Sequence, residues 1–183
     1  MTYKFIVMKE VKPQSFVRWF DRQFDSNTGP EYFDEFLKLL EDFPAVLNQV
    51  LKSCPIEVST RKMGDKWSVN ENIGHLILLE DLWRIRFRDI MKGKPDMSTA
   101  DLSNTATDQS SFNKMVVEEL INDLVGEREK TIVMLQKLSE EDLLKTSMHP
   151  RLQQPMNIID LMHFVAEHDL HHLHTIKSII GTM

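Results

Sequence analysis

The chain has 183 residues, of which 42% are hydrophobic, and a formal net charge of −6. This length fits one domain, and the apolar content is sufficient for a core. The negative charge and the lack of a lysine or arginine block argue against nucleic acid as the main partner. A small or uncharged ligand, such as a small-molecule substrate, is easier to accommodate.

Cysteine content and hydropathy set two further limits. The single cysteine, Cys54, excludes an internal disulfide and a cysteine-based zinc cluster, so a metal would need His, Asp or Glu ligands. No stretch approaches the roughly 18 to 20 apolar residues of a membrane span, and the N-terminus lacks the pattern of a secretory signal. We therefore expect a cytoplasmic protein with no membrane partner.

The N-terminal residues are predicted to be an extension that packs on the main domain. Phe16, Phe20 and Phe24 repeat every four residues, which predicts one apolar face of a short extra helix. We therefore divide the chain into residues 1–30, the N-terminal extension, and residues 31–183, the main helical domain.

A first long helix is predicted to follow a start signal from Thr28 to Glu31. Apolar residues continue at helical spacing from there until Cys54. Pro44 is expected to kink or divide this helix, because proline has no backbone N–H and clashes with the preceding turn.

The second long helix has clear sequence limits. Ser68 and Glu71 have the spacing of a capping box, in which Ser68 accepts a hydrogen bond from a free backbone amide and Glu71 reaches back. The helix is predicted to run to about Met91, because Gly93 and Pro95 follow and end it.

A polar stretch over residues 96–110 is predicted to be a long connection. Apolar residues at helical spacing then mark a third long helix, from Phe112 to near Ser139. A short helical turn from Ser139 to Asp142 follows it.

The fourth long helix is predicted after a break at His149-Pro150. Asn157 is its expected N-cap, and it reaches about Ile180. Alternation typical of strands is nearly absent from the chain. Four long amphipathic segments with one long crossover predict an all-α four-helix bundle that is not simply up-down-up-down.

Four of the seven histidines lie between His168 and His174. At about 100° per residue, helical phasing places His168 and His172 near the centre of the apolar face of the fourth helix. His171 lies at the margin of that face, where it is a surface residue, a neighbour of a metal ligand or a proton shuttle. Three residues are predicted on the opposite side: His163, His174 and Lys177.

A third histidine is predicted to point into the bundle, because His75 shares its face of the second helix with several leucines. Burying unpartnered imidazoles is costly, and two histidines four residues apart on one helix face can chelate a divalent ion. Three histidines leave a coordination position open for water or substrate. The alternative is core histidines that are satisfied by carbonyl or carboxylate groups, or a histidine-rich helix C-terminus that favours the helix dipole.

Glu71 and Arg86 each have a preferred predicted role and an alternative one. Glu71 is predicted to cap its helix, with a role beside His75 as the alternative. Arg86, further along the same face, is predicted to form a surface salt bridge, with contact to an anionic substrate group as the alternative. Leu170 and Leu173 are predicted to face outward, which suggests a subunit contact.

Two segments resemble the signatures of the DinB-like superfamily. They are WSVNENIGHL at residues 67–76 and HDLHHLHTI at residues 168–176. Their spacing, Arg128 in the third helix and the His149-Pro150 step are also similar to the layout of that family. The resemblance covers about residues 31–181.

This resemblance implies a four-helix bundle of up-down-down-up order, commonly a homodimer, with a three-histidine site for zinc or nickel. His75, His168 and His172 align with the family's metal ligands. Characterised relatives include thiol-dependent S-transferases that use bacillithiol, mycothiol or glutathione, and a mycothiol-dependent isomerase. This chain departs from the family pattern at His174, where relatives often carry glutamine, and in its first 30 residues.

Residues and resemblance together predict a metal-dependent enzyme that transfers a low-molecular-weight thiol to an electrophile or hydrolyses a small molecule. A metal ion would lower the pKa of thiol or water at the site, and His171 is predicted to handle protons beside it. The competing prediction is a non-catalytic protein, either a metal-stabilised dimeric bundle or a stress-induced binding protein.

Overall fold

The computed structural model describes residues 18–52 and 54–181, and four long helices dominate this part of the chain. A two-stranded antiparallel hairpin, β1 (Ser147–His149) and β2 (Gln154–Met156), precedes the last helix. Single 3-10 turns cover Trp19–Asp21, Pro30–Tyr32 and Phe112–Lys114. In chain order the helices are α1 (Phe33–Leu51), α2 (Ile56–Ser59), α3 (Val69–Met91), α4 (Thr105–Asp108), α5 (Val117–Leu135), α6 (Glu140–Leu143) and α7 (Ile158–Gly181).

The long helices α1, α3, α5 and α7 form the predicted four-helix bundle. Helices α1 and α3 each pack mainly against both α5 and α7, so α1 lies diagonally opposite α3 and α5 lies diagonally opposite α7. The crossover between α3 and α5 carries α4. None of the helices in the described ranges has the length and apolar character needed to cross a membrane.

Helix α3 begins and ends where the sequence predicted. The Glu71 N–H donates to Ser68 Oγ at 3.1 Å, and the Ser68 N–H donates to the Glu71 carboxylate at 2.8 Å. At the other end, Gly93 adopts a φ of +63°, which glycine tolerates better than other residues. This capping fixes the direction in which the first turns of α3, and so His75, enter the bundle.

Helix α1 continues through Pro44 instead of dividing there. A proline at this position cannot donate a hydrogen bond to the carbonyl oxygen of Leu40, one turn earlier. The Arg128 guanidinium of the neighbouring helix α5 donates a hydrogen bond to that carbonyl at 3.1 Å. The proline therefore frees a backbone acceptor that a buried arginine uses.

Two hydrophobic clusters form the core, and polar side chains separate them. On α5, Leu124 belongs to one cluster and Ile132 to the other, while Arg128 lies between them. On α7, Ala166 belongs to one of these clusters and Leu173 to the other, so the polar layer crosses this helix between them. His168 and His172 lie at this level of α7. His75 of α3 lies just before it, next to Leu76 of the cluster that contains Leu124.

Three charged side chains join α3, α5 and α7 inside this polar layer. Arg128 pairs with Glu80 at 2.7 Å and with Asp169 at 2.8 Å, and all three are almost fully buried. Burial by itself would lower the pKa of Arg128, but the charges of Asp169 and Glu80 outweigh burial and raise it. We call Glu80, Arg128 and Asp169 the buried triad.

More of α7 is buried than helical phasing predicted. Leu173 is 3% exposed and belongs to the chain's own core, so its predicted outward position is wrong, and Leu170 is half-buried against the same cluster. His163 was predicted on the far side but stacks on Phe36 at 5.0 Å between ring centroids. The reason is that α1, α3 and the N-terminal segment surround α7 on several sides.

The hairpin was not predicted. Its strands have three residues each and contain Pro155, so they are too short and irregular to give a visible alternation. The hairpin turn nevertheless positions His149 and Arg151 beside the cavity described below.

The N-terminal segment from Arg18 to Gly29 contains one 3-10 turn and no longer helix. Phe20 is 63% exposed whereas Phe24 is 7% exposed, so these two rings do not share a packing face as predicted. Phe16 lies outside the described residues. The segment is fixed to the start of α7, since the Thr28 N–H donates to Asp160 at 2.9 Å.

Candidate metal centre

Three buried imidazoles converge between α3 and α7. His75, His168 and His172 are 6%, 5% and 5% exposed, so all three have the inward orientation that helical phasing predicted. One ring nitrogen from each lies within 4.8 Å of the others. Within the described part of the chain, no other group of three or more His, Cys, Asp or Glu side chains is clustered so closely.

Hydrogen bonds to the outer nitrogens orient two of these rings. His172 Nδ1 lies 2.8 Å from Asn72 Oδ1, and the Asn72 amide nitrogen donates to the Ser68 carbonyl at 2.7 Å. The Asn72 oxygen therefore accepts a hydrogen bond from the His172 Nδ1–H, which leaves Nε2 of that ring with a free lone pair. The Thr107 hydroxyl of α4, which can donate or accept, lies 3.1 Å from His75 Nδ1 and holds that ring.

The third ring, that of His168, has an unsatisfied atom. Its Nδ1 is buried and has no hydrogen-bond partner among the described residues. Edges of Trp19 and Trp83 lie 4.9 and 5.6 Å from the ring. A buried imidazole nitrogen without a partner is costly, so this position lacks a group that would complete it.

The electrostatics of the cluster keep the imidazoles neutral. Burial lowers the pKa of His75 to about 4, with a further contribution from His171. The pKa values of His168 and His172 lie well below the usual value because of burial and because of neighbouring histidines. Three neutral imidazoles, each with a ring nitrogen within 4.8 Å of the others, fit a divalent metal ion.

Aromatic side chains enclose the cluster, and the sequence did not indicate them. Trp67 lies 4.6 Å from the His75 ring and 6.2 Å from the His172 ring, and its Nε1 donates to Asp108 of α4 at 2.8 Å. Trp19 of the N-terminal segment covers another side. Together these rings restrict the access of water to the imidazoles.

The remaining predicted site residues lie around the cluster. His171 is half-buried, stacks on Trp19 at 5.6 Å and contacts the His172 ring edge-on at 5.2 Å. Burial lowers the pKa of His171, and Arg22 and His174 lower it further. Glu71 is occupied by its helix cap and by Lys62, so it does not join the three histidines.

Two cavities reach the cluster from different sides. The first has a volume of about 180 Å³ and includes all three histidines together with Trp83, Phe164 and other side chains. The second is a wider groove of about 820 Å³ that includes His171, His172, Trp67 and basic residues such as Lys66. His171 and His172 therefore line both.

Arg86 is not the surface residue that the sequence suggested. It is 3% exposed and lines the first cavity, and its Nε donates to the Ser98 carbonyl at 2.9 Å. The surface salt-bridge prediction is wrong because phasing gives the direction of a side chain but not the depth to which connecting segments cover it. Here the crossover after α3 and the hairpin turn cover that face.

The chain resembles known proteins both in sequence and in fold. A family profile described as the DinB superfamily matches residues 39–176. The chain belongs to the DinB superfamily.

Among solved structures, the DinB-superfamily chain is similar to one described as YfiT from Bacillus subtilis, a probable metal-dependent hydrolase with an unusual four-helix bundle topology. The TM-score is 0.77 at 16% sequence identity, over 88% of this chain and 93% of that one. At this identity the likeness shows the fold, and it confirms the predicted bundle class. No curated protein sequence matched the chain.

Proposed function

We propose that this DinB-superfamily chain is an enzyme that holds one divalent metal ion, zinc or nickel, through His75, His168 and His172 and hydrolyses a small molecule. The cluster of three neutral, buried imidazoles carries the proposal, since one ring nitrogen from each lies within 4.8 Å of the others. A divalent ion held there would supply Lewis acidity and lower the pKa of a nucleophile beside it. The description of YfiT as a probable metal-dependent hydrolase supports hydrolysis as the reaction.

The chain's own residues have separate tasks in this proposal. His75 and His172 are held in the ligating orientation by Thr107 and Asn72. The surrounding tryptophans exclude water and narrow the approach. His171 lies beside the cluster with a lowered pKa, so its neutral ring can accept a proton from the nucleophile and return it to a leaving group.

Metal content tests the site directly. We expect about one zinc or nickel ion per chain in purified, metal-supplemented wild-type protein, and little in a His168→Ala variant, because two imidazoles chelate far more weakly than three. Elemental analysis by mass spectrometry measures both. His174→Ala is the matched control, since His174 is an exposed histidine on the same helix. A wild-type protein without stoichiometric metal, or equal metal in all three proteins, would contradict the proposal.

A second candidate reaction is the transfer of a low-molecular-weight thiol, and the second cavity favours it. A groove of about 820 Å³ beside His171 and His172 offers room for a cosubstrate in addition to a substrate in the first cavity. Activity of the metal-loaded protein toward esters and amides without thiol would support hydrolysis. Turnover of electrophiles only when bacillithiol, mycothiol or glutathione is present would support transfer.

A further inference from the structure

Three side chains form a donor-rich wall of the first cavity, separated from His168 by the rings of Trp19 and Trp83. They are Arg86 of α3, His149 at the end of β1 and Arg151 in the hairpin turn. We call these three residues the basic wall. They come from separate parts of the chain and meet on one cavity, which is the arrangement expected of a binding surface.

Neither arginine of the basic wall forms a direct ion pair with an acidic side chain of residues 18–52 and 54–181. Burial and then the charge of Arg151 lower the pKa of Arg86 to about 10, although the charge of the buried Asp89 carboxylate raises it. Asp89 itself pairs with Lys94. Asp101 also lines the cavity, but its carboxylate accepts hydrogen bonds from Ser103 and Thr105. A guanidinium that is 3% exposed, as in Arg86, is costly to bury without a counter-charge.

The hydrogen bonds of His149 leave a donor without an acceptor. The Leu152 N–H approaches His149 Nδ1 at 3.1 Å, and Arg86 Nη1 lies 3.1 Å from His149 Nε2. Burial, with the charges of Arg86 and Arg151, lowers the pKa of His149 to about 3, so the ring is neutral and has a single acceptor nitrogen. It cannot accept a hydrogen bond from both Leu152 and Arg86, so this group has one donor more than it has acceptors.

Arg151 contributes another unsatisfied donor. One of its terminal nitrogens donates to the Phe20 carbonyl at 3.3 Å, whereas the other is buried and has no partner among the described residues. Its guanidinium lies over the rings of Trp19 and Phe164 at 5.5 and 5.6 Å. These stacking contacts hold the planar group in place without neutralising its charge.

We propose that the basic wall binds the carboxylate of a small organic acid whose apolar part extends along Trp83 and Phe164 toward the three histidines. A carboxylate supplies two oxygens with several lone pairs, which matches the excess of donors among Arg86, His149 and Arg151, including the buried Arg151 nitrogen that has no partner among the described residues. The Trp83 ring lies 5.4 Å from the Arg86 guanidinium and 5.6 Å from the His168 ring, so one aromatic side chain spans the distance between the basic wall and the histidines. The acid is therefore small, with its reacting group separated from the carboxylate by an apolar part of about this size.

This inference rests on the proposed function only in taking the bound acid as the substrate, because binding to the basic wall does not require the metal. A purely structural role for the arginines is the competing explanation, since Arg86 also holds the segment at Ser98. If the arginines are purely structural, their substitution should lower the stability of the fold but leave the ratio of the affinities for an acid and its amide unchanged.

The test compares 3-phenylpropanoate with the uncharged 3-phenylpropanamide by isothermal titration calorimetry on the full, metal-supplemented chain. We expect the acid to bind at least about tenfold more tightly than the amide. Arg86→Gln and Arg151→Gln should remove this preference. Arg88→Gln should retain the preference for the acid, because this substitution removes one positive charge at an exposed position of α3. Arg151 is only half-buried, so its variant decides the result if Arg86→Gln does not fold.

The same titration of His168→Ala separates this inference from the metal proposal. A preference for the acid that persists in His168→Ala and disappears in Arg151→Gln supports the basic wall, whether or not wild-type protein holds a metal. A preference that disappears in His168→Ala and persists in Arg151→Gln means that the carboxylate binds the metal, which overturns the inference and leaves the metal site intact. Equal binding of acid and amide by wild-type protein also overturns it.

Discussion

His149 shows how a single buried side chain links protonation to stability. Its pKa is about 3 in the folded chain, because of burial and then because of Arg86 and Arg151, against about 6.5 in an unfolded chain. Between these values the unfolded chain binds a proton that the folded chain does not. The free energy of unfolding therefore falls as the pH falls below about 6.5.

A His149→Gln variant should reduce this pH dependence. Its side chain can still accept from the Leu152 N–H but does not titrate. We expect the slope of unfolding free energy against pH, between about pH 6 and pH 4, to decrease by up to about 1.4 kcal/mol per unit. Urea denaturation of chelator-treated protein measures this slope. The exposed His174 supplies the control, since His174→Gln should change the slope little; an unchanged slope in His149→Gln would contradict the explanation.

Individual site residues were predictable where helical periodicity applied. The inward positions of His75, His168 and His172 follow from phasing, because both helices are regular over these residues. Thr107 and Trp19 were not predicted, since they lie in connections whose path no periodicity describes. The sequence places Asn72 one helical turn before His75. Its hydrogen bond with His172 could not be predicted, because that bond depends on how α3 packs against α7.

At the scale of elements, the buried triad connects three of the four long helices. Removing one partner of a buried ion pair leaves an uncompensated charge, which costs far more than the loss of a surface pair. We expect Glu80→Gln to lower the free energy of unfolding by about 3 kcal/mol, because the Arg128 charge then has only Asp169.

Glu127→Gln is the matched comparison for this prediction. Glu127 pairs with Arg84 on the same two helices, α3 and α5, but its side chain is 27% exposed. We expect a loss of less than about 1 kcal/mol for this variant. Chemical denaturation of both variants gives the two values, and equal losses would show that burial of the triad is not what makes it stabilising.

Element boundaries were predictable where local hydrogen bonds define them. The capping box at Ser68 and the glycine after Met91 gave both ends of α3. The effect of Pro44 on α1 was harder to predict. Whether a proline divides a helix depends on a partner that is distant in sequence, and here Arg128 donates a hydrogen bond to the Leu40 carbonyl. The hairpin depends on contacts of its short strands rather than on their composition.

For the whole molecule, the metal should stabilise the fold without being needed to form it. The two hydrophobic clusters contain none of the three histidines, so the bundle has its core without an ion. With free metal at about 100 times its dissociation constant, we expect a gain of about 2.7 kcal/mol, or roughly 5 to 10 °C in melting temperature.

Circular dichroism of chelator-treated and metal-loaded protein measures this change. The helical signal should be the same in both samples at low temperature, and only the midpoint should move. Loss of the helical signal on chelation would instead favour the non-catalytic, metal-stabilised bundle. The homodimer stays a prediction, and buried Leu173 gives it no support.

The cavity and the imidazole cluster are built from different kinds of segment. The three histidines lie on the long helices α3 and α7, whereas much of the cavity wall comes from connections: the N-terminal segment with Trp19, the crossover with Leu102 and the hairpin turn with Arg151. Connections tolerate substitution and changes of length better than packed helices do. Substitutions or insertions in these connections would therefore change which molecule the cavity admits, while the three histidines keep their geometry on the two helices.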